Sequence, residues 1–177
     1  MNDHWEIIKT ITEAEHHFNN LCFKIRTLAS TWLLATFAGV GFLITKTIDQ
    51  SLSIGDLTVL LCWAGSLGIF TLWILDIQIY QKILNAWFEQ RQAIESQHPE
   101  FPQLHQAITS TQPGGRATNL IKLYYIGLFS APLLLACYIC LYKDLASVFA
   151  FGSIALLVIF CFVIYRLSPS GQEIPTD

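Results

Sequence analysis

Two Glu-x-x-His pairs give this chain residues with the spacing of metal ligands. They are Glu13 with His16 and Glu95 with His98. Helical bundles build di-iron and di-manganese sites from such pairs, because residues i and i+3 share one helix face. The first pair, however, lies more than about 100° around its helix from the apolar seam described below, so it faces water. We therefore predict solvated helix surface at both pairs, with no metal and no other cofactor.

Arg91 and His98 form a second candidate constellation. Six residues separate them, and this resembles the Arg-x4-6-His spacing of the HEPN ribonuclease family, whose paired motifs form an RNA-cutting site at a dimer interface. The resemblance covers eight residues and implies catalysis by Arg91 and His98. A structural role explains the same residues, since Arg91 lies near a helix seam and His98 just before the helix-stopping Pro99. We predict no enzyme and, with a net charge of −3, no nucleic-acid partner.

The cysteines of the chain lie inside or beside apolar segments. Two of them, Cys137 and Cys140, have CxxC spacing. This pair lies in an apolar run without a second ligand pair or a βαβ context, so we interpret the cysteines as small packing residues. The full set is Cys22, Cys62, Cys137, Cys140 and Cys161.

Four runs without Asp, Glu, Lys or Arg determine the class of protein. Of the 177 residues, 53% are hydrophobic and 13% are charged, against about 25% charged in a typical soluble domain. The runs cover residues 27–45, 57–75, 123–142 and 145–165, and each has 19 to 21 residues. Such a run spans about 30 Å as a helix, which is the thickness of a bilayer hydrocarbon core. The sequence predicts an all-α polytopic membrane protein with four transmembrane helices in the lipid bilayer.

The basic residues lie mainly on one side of the predicted spans. With four spans, both termini and the central loop share a side, which holds eight Lys and Arg residues, whereas the other side holds Lys46 and Lys143. Cytoplasmic segments carry the excess of Lys and Arg. We therefore predict both termini in the cytoplasm, with the bacterial inner (plasma) membrane as the location.

Residues 3–27 and 76–98 continue the first two spans as a predicted cytoplasmic stalk of two helices. No Gly or Pro interrupts residues 2–38 or 76–98, so each stalk helix forms one rod with its span. The first carries apolar residues at alternating spacings of four and three, which is typical of a coiled-coil seam. A short outer loop brings the two stalk helices side by side. The two apolar stripes are Ile7, Ile11, Ala14, Phe18, Leu21, Ile25 and Leu28, and Tyr80, Ile83, Leu84, Trp87 and Ile94.

Small residues mark where the predicted spans can approach closely. Membrane helices pack through such residues, either within one chain or between subunits, and the spacing does not choose between these. The candidate pairs are Ala35 and Gly39, Ala64 and Gly68, and Gly127 and Ala131.

Asp76 is a charged residue at the membrane boundary, at the end of span 2. A carboxylate at this depth is either a boundary residue that reaches the headgroups or the partner of a cation across a helix interface. The candidate cations are Lys24, Arg26 and Lys122.

The predicted organisation has four parts. These are a long helical hairpin over 1–98, a connector over 99–118, a second hairpin over 119–167 and a disordered tail over 168–177. The first hairpin contains stalk helices at 3–27 and 76–98 and spans at 27–46 and 57–76, and one helical turn is expected near Leu104 to Ile108.

The sequence predicts association surfaces and no reaction. The first hypothesis is a small self-associating scaffold or interaction subunit, a homo-oligomer with a possible cytoplasmic protein partner, because a lone two-helix stalk buries little apolar area. The alternative is an oligomeric pore or membrane-perturbing effector gated by a cytoplasmic ligand or partner.

Overall fold

The computed structural model describes residues 2–45, 53–99, 103, 116–142 and 147–167. Within these ranges the chain forms helices and no strands. The predicted turn near 104–108, most of the connector, the tail and most of the loop between the first two spans lie outside the described residues. The helices are α1 (Asn2–Thr45), α2 (Ile54–Trp73), a π-helical segment (Ile74–Tyr80), α3 (Gln81–Gln97), α4 (Arg116–Tyr142) and α5 (Ser147–Leu167).

Both long rods form as the lack of Gly and Pro predicts. Helix α1 runs without interruption through the predicted stalk and the first span. Helix α2, the π-helical segment and α3 follow one another directly. At the start of this second rod the Ser53 side chain accepts a hydrogen bond from the Asp56 backbone N–H at 3.1 Å, which is a helix N-cap.

Four helical rods are long and apolar enough to cross a membrane. The all-α class and the four candidate spans are thereby confirmed. The apolar helix predicted at 145–165 begins at Ser147 and ends at Leu167.

The first hairpin is antiparallel. Its contacts join Arg26 to Asp76, Trp32 to Gly65 and Gly39 to Leu61, so residue numbers fall along the second rod as they rise along α1. The same register continues outside the spans, where α1 packs along α3. The two predicted stalk helices therefore lie side by side.

Helices α2 and α4 form the centre of the bundle. Helix α2 packs extensively on α1 and on α4, and α5 packs mainly on α4. Among the described residues α1 and α5 make no contact with each other, so they occupy opposite edges. Phe129 of α4 stacks on Phe160 of α5 with ring centroids 3.5 Å apart, and Trp73 meets Phe160 edge to face.

Candidate functional site

Asp76 lies at the meeting point of three helical elements. Its side chain is fully buried, in the π-helical segment between α2 and α3. The Arg26 Nε donates to Asp76 Oδ2 at 2.7 Å, and Arg26 Nη2 donates to Oδ1 at 3.3 Å. The Tyr125 hydroxyl of α4 donates to the same Oδ2 at 3.0 Å. Both carboxylate oxygens are therefore satisfied, as burial of a charge requires.

Neighbouring polar groups extend the cluster formed by Asp76, Arg26 and Tyr125. Arg26 Nη2 also donates to Gln81 Oε1 at 3.3 Å. The Tyr124 hydroxyl donates to the Arg26 carbonyl at 2.7 Å and lies 2.7 Å from the Ser30 hydroxyl. The cluster thus fastens α1 to the second rod and to α4. A π-helical turn inside an α-helix often marks a functional position, and here it contains Asp76.

A second ion-pair cluster lies in the middle of the stalk. Arg91 Nη1 donates to Glu15 Oε2 at 2.9 Å, and Arg91 Nε donates to Glu95 Oε1 at 2.9 Å. The three side chains are at most 9% exposed. Burial lowers the pKa of the Arg91 guanidinium, but its hydrogen bonds to Glu95 and Glu15 outweigh that effect and raise the pKa above its usual value. Arg91 is therefore a permanent cation that bridges the stalk helices.

Glu15 keeps one unsatisfied atom in this cluster. Its Oε1 is buried and has no hydrogen-bond partner among the described residues. Two carboxylates share one guanidinium, so loss of the guanidinium would leave two buried charges without a cation. Sequence reasoning missed Glu15 because only apolar residues were counted in the seam. The available signal was its spacing of four from Ile11 and three from Phe18.

The face of α1 that packs on the second rod differs from the predicted seam. The observed contact uses the heptad positions Ile8, Ile11, Glu15, Phe18, Cys22, Ile25 and Ala29, of which Phe18 and Ile25 are half-buried and the others buried. Ile11, Phe18 and Ile25 belong to both sets. At 100° per residue the two faces differ by about 60°. In the observed arrangement Glu15 and Arg26 each form an ion pair with the second rod.

Helix α3 shows the same displacement. Its buried residues are Leu84, Arg91 and Glu95, whereas Ile83 is exposed and Trp87 and Ile94 are half-buried. The predicted stripe shares Leu84 with this buried face, but its centre lies about 55° from the face that meets α1. Tyr80 remains in contact, since its ring centroid is 6.4 Å from that of Phe18.

The displaced parts of the two stripes form one common surface, which we call the stalk face. In an antiparallel pair, stripes rotated in the same sense about their own axes fall on the same side. Accordingly, Ile7 of α1 and Trp87 of α3 line one groove of about 480 Å³. Ile7 is 46% exposed and Ile83 is 36% exposed. The stalk face comprises Ile7, Ala14 and Leu21 from α1 and Ile83, Trp87 and Ile94 from α3.

Several predicted small residues pack within the chain. A Cβ on Gly68 would meet the Trp32 indole, and a Cβ on Gly39 would lie 2.9 Å from Leu61 Cδ2. Trp32 Nε1 also donates to the Gly65 carbonyl at 3.1 Å. These contacts give α1 and α2 their close approach.

Other small residues face away from the described chain. Gly127 has no atom within 4 Å of an added Cβ, and Ala35 and Ala64 are exposed, while Ala131 is half-buried. Gly127, Ala35 and Ala64 are therefore open to lipid or to another subunit.

The residues with metal or nuclease spacing are not brought together. Glu13 and His16 are exposed, and His98 lies half-buried after the end of α3. Within the described ranges no three His, Cys, Asp or Glu side chains form a group that could hold a metal ion. Arg91 is occupied by its two carboxylates.

Cys22 lies in the stalk, one turn before Arg26. Burial and the neighbouring Asp76 carboxylate raise the pKa of its thiol to about 11. All five cysteines are free thiols, Cys137 and Cys140 included.

Comparison with known proteins finds no matching family model, no matching curated protein and no matching solved structure. The geometry of the chain is therefore the basis of the functional argument.

Proposed function

We propose that the protein is a small integral membrane protein that self-associates through the stalk face and acts as a scaffold or interaction subunit. The stalk and both termini lie in the cytoplasm, on the side that holds eight of the ten Lys and Arg residues. The membrane is the inner (plasma) membrane of a bacterium.

The observation that carries this proposal is the position of the stalk face. The contact between α1 and α3 leaves a second apolar stripe of each helix on one shared side, with Ile7 and Ile83 exposed. Contiguous apolar surface on a water-exposed element marks an interaction site. A helix with two adjacent heptad faces suits a bundle of three or more helices. Two copies of the stalk joined through this face would form a four-helix bundle.

The first experiment measures the oligomeric mass of the full-length protein in nanodiscs and images the particles. We expect an oligomer, and we expect Ile83→Glu to shift it towards monomer because a carboxylate would enter an apolar contact. The matched control is Gln92→Glu, which adds the same charge at an exposed position of α3 about 150° from the stalk face. A wild-type monomer, or equal effects of the two variants, contradicts self-association through this face.

The same images test the alternative function. A ring of about five or more subunits around a central opening favours a gated pore, which ion-flux assays then examine. A dimer encloses no channel and leaves the scaffold proposal in place.

The orientation has a separate test. A reporter that is active only in the cytoplasm, fused after Asp177, is expected to be active. A silent reporter in a well-expressed fusion overturns the proposed topology.

A further inference from the structure

An open groove lies between α1 and α4 at the stalk end of the apolar spans. Its volume is about 380 Å³. Arg26, Thr27 and Tyr124 line one part, Phe23, Leu120 and Ile121 line the rest, and most of the lining surface is apolar. Phe23 is 69% exposed and Leu120 is 63% exposed. The groove thus has apolar walls with one cationic residue, Arg26, among its lining, at the depth where the charge-free segments begin.

Arg26 lines this groove and its guanidinium is held in place. Its Nε and Nη2 are held by Asp76 and Gln81, which positions the guanidinium and restricts its rotation. Nη1 donates to no group among the described residues, and 28% of the side-chain surface is exposed. A guanidinium bound along one edge can still donate to a phosphate oxygen from the other.

Basic residues outnumber acidic ones at this end of the spans. Lys24, Arg26 and Lys122 lie close to the stalk ends of the first and third spans in the sequence, and Asp76 is the one acidic residue in 16–45, 76–88 and 101–143. Because Asp76 is paired with Arg26, Lys24 and Lys122 give this end of the spans a net positive charge. Basic pockets between membrane helices bind anionic lipid headgroups.

From this geometry we propose that the groove binds the phosphate of an anionic phospholipid in the stalk-side leaflet. Arg26 Nη1 donates to the phosphate, and Phe23, Leu120 and Ile121 contact the glycerol and the first methylenes of the acyl chains. The depth of the groove at the span ends selects a membrane lipid as the occupant, because its headgroup already lies at this level. The site is independent of the stalk face.

The experiment compares retention of phosphatidylglycerol and phosphatidylcholine by the full-length protein, with native mass spectrometry after purification in mild detergent. Thr27→Trp fills the groove from α1. Its control is Thr31→Trp, since both threonines are exposed and both donate to the carbonyl four residues earlier, at 3.0 Å, yet Thr31 does not line the groove. A second pair from α4 is Leu120→Trp with Leu123→Trp as control, at side chains 63% and 64% exposed.

We expect the wild-type protein to retain phosphatidylglycerol in preference to phosphatidylcholine. Loss of one charge-assisted contact weakens retention about tenfold in Thr27→Trp and Leu120→Trp, while both controls keep the wild-type preference. Equal retention of the two lipids by the wild-type protein overturns the proposal. So does the same lipid preference in the filled and control variants, because boundary lipid would then be bound without this groove.

Discussion

The Arg26–Asp76 ion pair joins a fully buried carboxylate to a guanidinium that keeps 28% of its side-chain surface exposed. This difference in burial makes the two partners unequal. If Arg26 is removed, Asp76 stays inside the bundle with only the neutral Tyr125 hydroxyl and Cys22 thiol as the donors shown among the described residues. If Asp76 is neutralised, Arg26 can turn towards the headgroups and water. Asp76 therefore needs Arg26 as a partner more than Arg26 needs Asp76.

Arg26→Met is expected to destabilise the protein more than Asp76→Asn. Leaving a buried charge without its partner costs about 3 to 5 kcal/mol, whereas the asparagine can still accept from Tyr125. The double variant Arg26→Met, Asp76→Leu is expected to recover most of the loss. The measurement is the midpoint of thermal unfolding in detergent, monitored by tryptophan fluorescence. A double variant as unstable as Arg26→Met would contradict this assignment.

Arg91→Met is expected to loosen the stalk more than either Glu15→Gln or Glu95→Gln. Arg91 is the one cation shown between these two buried carboxylates in the described stalk, so its loss leaves two like charges in a low dielectric. Each glutamine variant keeps one ion pair. Amide hydrogen exchange along α1 and α3 reports the opening of the stalk, and the four apolar spans serve as internal reference. Equal exchange rates in all three variants would show that the Arg91 cluster does not hold α1 and α3 together.

The helical architecture can be predicted from the sequence because a segment that spans a membrane has few possible structures. Runs of 19 to 21 uncharged residues have few alternatives to a spanning helix. The absence of Gly and Pro likewise predicts both long rods, and Pro99 follows the end of α3 at Gln97. Arg26 is among the three cations proposed as partners of Asp76, and the structure selects it.

Which face of each stalk helix packs on the other is harder to predict, for a physical reason. Counting apolar residues finds a heptad pattern on α1 but places it about 60° from the actual contact, because Glu15 occupies a central position of that contact. A buried charge enters a seam only when its partner lies opposite, and this pairing involves residues 76 positions apart. The Tyr125 contact to Asp76, across 49 positions, has no local signal either. Long-range polar contacts therefore determine which of two adjacent apolar faces lies inside.

The raised pKa of Cys22 predicts an unusual pH dependence of alkylation. The thiolate is the reactive form, and a thiol with its pKa at about 11 ionises mainly above that pH. The rate of iodoacetamide modification is therefore expected to rise about tenfold per pH unit through pH 9 and beyond, whereas an ordinary thiol levels off near pH 8.5. A variant that retains Cys22 and replaces the other four cysteines by alanine isolates the signal. Burial lowers the absolute rate at every pH, so the shape of the curve is diagnostic.

The same variant in denaturant supplies the reference for Cys22. Unfolding removes both burial and the Asp76 neighbour, so the curve should move to the ordinary range. A folded curve that already levels off near pH 8.5 would show that neither burial nor the Asp76 carboxylate raises the pKa of the Cys22 thiol.

Two glycines distinguish packing within the chain from packing between subunits. A side chain at Gly68 would collide with the Trp32 indole, whereas a Cβ at Gly127 meets no atom within 4 Å. Gly68→Ala is therefore expected to destabilise the hairpin by about 1 to 3 kcal/mol through overpacking. Gly127→Ala is expected to leave the thermal midpoint of the isolated subunit unchanged or to raise it slightly, since alanine favours the helix.

The larger substitution Gly127→Leu tests whether the open face of α4 contacts lipid or another subunit. Against lipid, leucine adds apolar surface that the acyl chains accommodate, so the oligomeric mass in nanodiscs stays the same. Against another subunit, leucine forces apart helices that approach through small residues, and the oligomer dissociates while the subunit remains folded. Gly41→Leu is the matched control on α1, because its Cβ also meets nothing within 4 Å. Dissociation by Gly127→Leu with an intact Gly41→Leu oligomer places α4 at a subunit interface, and unchanged mass in both variants assigns self-association to the stalk face alone.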